Sequence, residues 1–292
     1  MKLARYTYKS KTSIGKIEGD RVIDLHVTDA WLPDDLTTLL SSPEALGRAR
    51  QLTVEQAGSV ALSEVRLEAP IIHPGKFLAL GMNYKDHEAE ARRHGVPIPP
   101  SQVWFNKQVS CINGPFDDVH HPDVCEKLDY EAELGVVIGK AGRYISEEDA
   151  LAHVGGYFVA NDVTARDWQA KSPTWTLGKS FDTHGPIGPW VVTADEIADP
   201  QNLAIRLLVN GEVRQQSSTS LMTYPIARQI AYLSQVMTLQ PGDILITGTP
   251  AGVGLAMNPP RFLGAGDVVR VEIDGIGHIE NRIVPEPPRK AA

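Results

Sequence analysis

Cysteine is scarce: Cys111 and Cys125 are the two present in 292 residues, and they lie too far apart for a C-x-x-C redox or zinc motif. That excludes a disulfide scaffold and fits a reducing compartment. Long apolar runs are also missing, none approaching the roughly 20 residues that a bilayer span requires. The opening stretch MKLARYTYKSKTSIGKI has no apolar segment of the export-signal kind, so a cytoplasmic setting with no membrane partner is expected. Positive charge is in deficit, with 28 Lys and Arg against 36 Asp and Glu and a net charge of −8. No cationic surface is then available for a phosphate backbone, and nucleic-acid binding is set aside. Repeats are not apparent, and low complexity is confined to a polar tail over 285–292, expected to be disordered.

What the chain does have is apolar content for a full core, 42 % by count. The first seventy residues read as short strands around Gly15 and Gly19, a helical stretch from Asp35 to Gly58 and a strand from Glu64 to Glu68. The run Ala69-Pro70-Ile71-Ile72-His73-Pro74-Gly75 marks a boundary, so a small α+β unit over 1–70 precedes a larger unit over 71–292. In the larger unit strand-like runs recur over 77–80, 133–138, 156–160, 190–193, 204–209, 243–247 and 268–273. Helices are expected over 83–94, over 146–153 with Ser146 as cap, and over 225–237 with Ile226, Ile230, Leu233 and Met237 on one face. Many strands with few helices, not in strict alternation, argue for a β-dominated α+β fold over a doubly wound sheet or a TIM barrel.

The segment from Leu128 to Ile138 carries the strongest chemical signal. Strand periodicity puts Glu131 and Glu133 on one face, where like charges repel unless the face is wet or something positive lies between them. Asp162, at the end of the strand Gly156 to Asn161, supplies a third carboxylate. Three oxygen ligands without cysteine or histidine select a hard cation, Mg²⁺ or Mn²⁺, with Ca²⁺ less favoured and zinc disfavoured. Taken alone, a Glu-x-Glu in a strand is more often a solvent-facing edge. His87 and Glu90 sit three apart on the expected helix 83–94, close enough for the carboxylate to orient the imidazole. The glycine-rich run Gly248 to Gly254 has no following Gly-Lys-Ser/Thr and no Rossmann unit around it, which excludes a nucleotide loop.

Four segments together, Tyr130-Glu131-Ala132-Glu133-Leu134, Asn161-Asp162-Val163-Thr164-Ala165-Arg166-Asp167, Gly178-Lys179-Ser180-Phe181-Asp182 and Ile246 to Gly254, resemble the fumarylacetoacetate hydrolase superfamily, in its acylpyruvase and 2-hydroxyhepta-2,4-diene-1,7-dioate isomerase-like branch. The similarity runs from about Phe77 to Val284. It implies a β-roll of several sheet layers, a homodimer, and Mg²⁺ or Mn²⁺ held by Glu131, Glu133 and Asp162 beside a small 2-oxo or 2,4-dioxo acid. It further implies His87 and Glu90 as a catalytic dyad, with Lys179 and Gln169 stabilising an oxyanion. A lid is implied over the segment that contains Gly95 to Pro100. Thr249 and Gly248 are expected at the substrate's acid end, Lys107 as a second pocket cation, and Arg166 at the site in a pair with Asp167. The activity so implied is metal-dependent hydrolysis of a C–C bond in an acylpyruvate or fumarylpyruvate. Oxaloacetate decarboxylation, hydroxydienedioate isomerisation and a non-catalytic binding role are the rivals.

Overall fold

The computed structural model describes residues 1–55 and 58–288. The first segment folds as a meander: β1 (Lys2–Tyr8), β2 (Lys11–Glu18) and β3 (Arg21–Asp24) pair antiparallel in order. The helices α1 (Leu25–Thr28), α2 (Leu36–Ser41) and α3 (Pro43–Gln51) follow, then β4 (Ser59–Ala61) on β3 and β5 (Arg66–Glu68) on β1. The helical stretch expected over 35–58 is therefore two helices, and its residues 56 and 57 lie outside the described ones. Pro43 cannot continue a helix because it has no N–H, while the Ser42 side chain accepts from Ala45 N and restarts one.

After β5 come β6 (Phe77–Gly81), α4 (Lys85–Arg93) and β7 (Val103–Asn106). Short strands β8 (Ile112–Asn113), β9 (Val119–His121) and β10 (Leu128–Asp129) lead into β11 (Ala132–Ile138) and β12 (Val154–Asn161). Then come β13 (Thr164–Ala165), α5 (Arg166–Gln169), α6 (Thr176–Lys179) and β14 (Gly185–Thr193). The chain closes with β15 (Ala204–Val209), β16 (Glu212–Ser218), α7 (Ile226–Val236), β17 (Ile244–Ile246), β18 (Val268–Ile273) and β19 (Gly277–Pro285).

Ten of these strands form one path, β4-β3-β2-β1-β14-β12-β11-β17-β6-β7, so β1 joins the first segment's strands to the central sheet through β14. A second sheet runs β16-β15-β18-β19-β9. Alternation sorts the central strands onto two cores. Leu134, Val136, Val159 and Leu245 pack with α7 and the second sheet, while Val137, Phe158, Ile244 and Ile246 pack with α1 to α3. Covered on both faces, β11 is buried throughout, which is why it reads as a continuous apolar run. Gly135 sits opposite Phe158 in the β11–β12 pair, and a Cβ there would overlap the Phe158 ring.

Two expectations are corrected. Residues 146–153 are not an α-helix: Ser146 Oγ donates to Asp149 Oδ2 and accepts from Asp149 N as a cap would, but β12 takes the chain from Val154. A 3-10 turn over Ala150–His153 is what forms. The tail is ordered at its start, because Pro285 ends β19 beside His121 and Glu286 N donates to His121 O; residues 289–292 lie outside the described ones. Among the described residues no helix is long and apolar enough to cross a membrane.

Candidate active site

The ends of β11 and β12 bring the three acids together. Glu131, Glu133 and Asp162 are all buried, and each offers an oxygen within 4.8 Å of the others. The pairing of Ala132 with Asn161 places Glu131 beside Asp162, and Asp162 N donates to Glu131 O at 2.9 Å. The face does not open to water. Lys179 Nζ, carried in by α6, lies 2.8 Å from Glu131 Oε2 and 2.6 Å from Asp162 Oδ2. Lys107 Nζ sits 2.7 Å from Asp162 Oδ1, and Arg166 Nη1 sits 2.7 Å from Glu131 Oε1. Burial alone would raise the Glu131 carboxyl, but Lys179 and Arg166 bring it down to about 2.

Glu133 is different. Among the described residues it has no cation at ion-pair distance, and its Oε2 accepts from Gly248 N at 2.7 Å. Burial, with Asp162 and Glu131 adding their charges, pushes its carboxyl well above the ordinary range. An acid so placed is stable as an anion only with further positive charge nearby. Oxygen-only donors, close spacing and an uncompensated carboxylate fit a hard divalent ion.

Beside this cluster opens a cavity of about 500 Å³ lined by His87, Glu90, Glu131, Arg166, Gln169, Lys179 and Thr249, with apolar walls from Met82, Val96, Phe105, Trp175, Val253 and Leu255. His87 Nδ1 lies 2.8 Å from Glu90 Oε2 on α4. Glu90 Oε1 accepts from Gly252 N at 3.0 Å, so the carboxylate that orients the imidazole is itself held by the glycine-rich loop. Gln169 Oε1 accepts from Arg166 Nη1 at 3.1 Å, and its NH₂ has no partner among the described residues. Lys179 Nζ also stands 5.0 Å over the Phe105 ring.

Lys107 and Gly248 do not line the cavity. The Lys107 ammonium is spent on Asp162 and on the Lys179 carbonyl, and the Gly248 N–H is spent on Glu133. Arg166 does line it, yet its guanidinium is largely occupied by Asp129, Glu131 and Gln169, with Nη2 unpartnered among the described residues. Arg166 does not pair with Asp167, since consecutive helical side chains diverge; Asp167 accepts instead from Glu126 N and Cys125 Sγ.

Sequence reasoning missed two residues. Asp129, fully buried, accepts from Arg166 Nε and from the N–H groups of Tyr130, Gly254 and Leu255, tying the loop at the cavity mouth to the acid cluster. The signal for it was its place one step before Tyr130-Glu131. Gln215 bonds Ala132 and Thr249 from a distant strand, and nothing local in the sequence announces it.

The family model described as fumarylacetoacetate (FAA) hydrolase C-terminal matches residues 76–284. A Xenopus laevis protein named oxaloacetate tautomerase fahd2, mitochondrial, is 47 % identical over 270 residues, covering 91 % of this chain and 84 % of its own. The solved fumarylacetoacetate hydrolase of Exiguobacterium antarcticum superposes with a TM-score of 0.86 at 38 % identity, over 98 % of this chain and 100 % of that one. Maleylpyruvate hydrolase of Sphingobium sp. SYK-6, solved in complex with manganese(II) ion and pyruvate, gives a TM-score of 0.82 at 32 % identity over 98 % and 99 %. The carboxylate cluster, the strand-rich layers around it and these likenesses agree, and the chain belongs to the fumarylacetoacetate hydrolase family of enzymes.

Proposed function

We propose that this enzyme interconverts the keto and enol forms of a small 2-oxo acid of the oxaloacetate type. The observation that carries the reading is the His87–Glu90 pair, 2.8 Å apart, facing the same cavity as Glu131 of the acid cluster. A base beside a cation site is the arrangement that proton transfer next to a 2-oxo group needs. The resemblance in sequence to the Xenopus tautomerase supports it.

Glu131, Glu133 and Asp162 would hold Mg²⁺ or Mn²⁺, with Ca²⁺ less favoured. Such an ion, when bound, supplies positive charge at the 2-oxo end, where negative charge develops as C3 loses its proton. His87 takes that proton at Nε2, the C3–H electron pair moving into the C2–C3 bond, while Glu90 holds Nδ1–H and so fixes the tautomer and the ring's orientation. His87 then returns the proton to the enol oxygen, and ketonisation is the reverse. Thr249 binds the acid end, and Lys179 keeps Glu131 and Asp162 aligned. The reading includes a homodimer and a cytoplasmic setting.

A second reading is favoured by the cavity itself, whose apolar walls reach beyond what a four-carbon acid would occupy. In it His87 deprotonates water, hydroxide attacks C4 of a 2,4-dioxo acid, Gln169 and Lys179 steady the oxyanion, and C3 departs as pyruvate enolate. One assay separates the two. With purified protein and Mg²⁺, faster decay of the oxaloacetate enol absorbance without pyruvate supports tautomerisation. Pyruvate from acylpyruvates supports hydrolysis, and pyruvate from oxaloacetate supports decarboxylation. No metal-dependent change with any substrate sinks all three. In the active assay His87→Ala should lose about 10²- to 10⁴-fold in rate while manganese uptake is kept, and a fully active variant overturns the base assignment.

A further inference from the structure

We propose that Gln215 is a positioning residue that makes the Thr249 hydroxyl a hydrogen-bond donor to the substrate's carboxylate. This rests on the reading that the cavity takes a 2-oxo acid.

Gln215 is 1 % exposed and lies in β16 beside a register irregularity, where Leu207 pairs with Gln215 but Leu208 pairs with Val213. In an unbroken strand Val213 and Gln215 would share a face. Here Val213 is exposed and Gln215 is buried, as a bulge at Arg214 would produce.

The amide's orientation is settled by its neighbours. Ala132 N can only donate, and it lies 2.8 Å from Gln215 Oε1. Pro250 O can only accept, and it lies 2.8 Å from Nε2. Nε2 therefore has one hydrogen left for Thr249 Oγ1, also at 2.8 Å.

A hydroxyl that accepts from Gln215 cannot send its own proton there. Thr249 lines the cavity, and among the described residues its proton has no acceptor. With one lone pair taken by Gln215, the hydroxyl proton is left to turn toward the cavity, the polarity an anionic oxygen requires. The same amide grips Ala132, the residue between Glu131 and Glu133, so one side chain sets the distance from the carboxylate anchor to the cation cluster. Two residues along β16, Ser217 Oγ donates to Asp86 Oδ2 at 2.7 Å, and Asp86 Oδ1 accepts from His87 N at 2.8 Å. One strand braces both ends of the site.

The test uses pyruvate titrated into the full-length, manganese-loaded protein by calorimetry. Absence of pyruvate binding by the wild type would count against the 2-oxo acid reading itself, and the inference would fall with it. Given binding, Thr249→Val and Gln215→Met should each weaken it roughly tenfold, about 1.4 kcal/mol. The double variant should lose far less than the two single losses multiplied, the small excess over Thr249→Val being the lost Ala132 contact, and Thr249→Ser should restore affinity. KM for the substrate should rise in the same proportion with kcat nearly unchanged, a split that loss of general packing would not give. Should Gln215→Met fail to fold, Gln215→Leu, which also lacks the donor and adds no charge, takes its place in the cycle. Unchanged affinity in Thr249→Val or in the Gln215 variant that folds, or losses that multiply in the double variant, would overturn the assignment.

Discussion

Glu133→Gln tests whether the acid cluster exists for a cation or for the fold. Glu133 is 1 % exposed, with carboxylate oxygens of Glu131 and Asp162 inside 4.8 Å. At an effective dielectric of about 20, two unit charges at that 4.8 Å limit repel by roughly 3 kcal/mol. The raised carboxyl relieves part of this by taking up a proton, so the gain from a neutral amide is smaller, on the order of 1 kcal/mol. Gln keeps the acceptor that Gly248 N uses. Without metal the variant should therefore unfold at the same temperature as the wild type or slightly higher. With Mn²⁺ at a hundred times its dissociation constant, the wild type should gain about 2.7 kcal/mol. For a chain of this size that is roughly 4 to 5 °C in Tm. The variant, lacking one anionic ligand, should lose most of that shift. Thermal unfolding followed by circular dichroism, in EDTA and in Mn²⁺, reads both quantities. A variant that melts several degrees lower in EDTA yet keeps the full manganese shift would refute the reasoning, because Glu133 would then serve the fold and not the ion.

Burial holds the His184 imidazole down to about 3, whereas in the unfolded chain it titrates at the ordinary imidazole value of about 6.5. The unfolded state thus binds the extra proton, and stability that is fully present above pH 6.5 is lost as pH falls toward 3, at roughly 1.4 kcal/mol per unit. Urea melts at pH 6.5 and 5 should show the wild type losing about 2 kcal/mol more than His184→Gln over that interval, and equal losses would show that His184 is not the source. Gly135→Ala drives a Cβ into the Phe158 ring between two packed layers, so it should cost about 1 to 3 kcal/mol in the same melts. An unchanged midpoint would mean that the ring has room to move.

Local pattern carried most of the acid cluster. Period-two spacing put Glu131 and Glu133 on one face, and the i,i+3 spacing of His87 and Glu90 became the 2.8 Å contact. Lys107, Gly248 and Arg166 show the limit. Residue type pointed to all three as ligand-binding groups, but the carboxylates claim the Lys107 ammonium, the Gly248 N–H and most of the Arg166 guanidinium. A hydrogen-bond donor has a fixed number of hydrogens, and which acceptor takes them depends on proximity across the fold. The helix expected over 146–153 failed for a different reason: Ser146 caps a turn there, but strand β12 takes the chain from Val154 and a 3-10 turn is what precedes it.

By itself the amino-acid order determined the strand-rich class, the shared face of Glu131 and Glu133 and the i,i+3 spacing of His87 and Glu90, because these depend on periodicity within one segment. Only the tertiary structure decided what surrounds them. Lys179 reaches Glu131 across 48 positions and Gln215 reaches Thr249 across 34, and contacts at such separations arise from sheet register and layer packing, which no short window of sequence encodes.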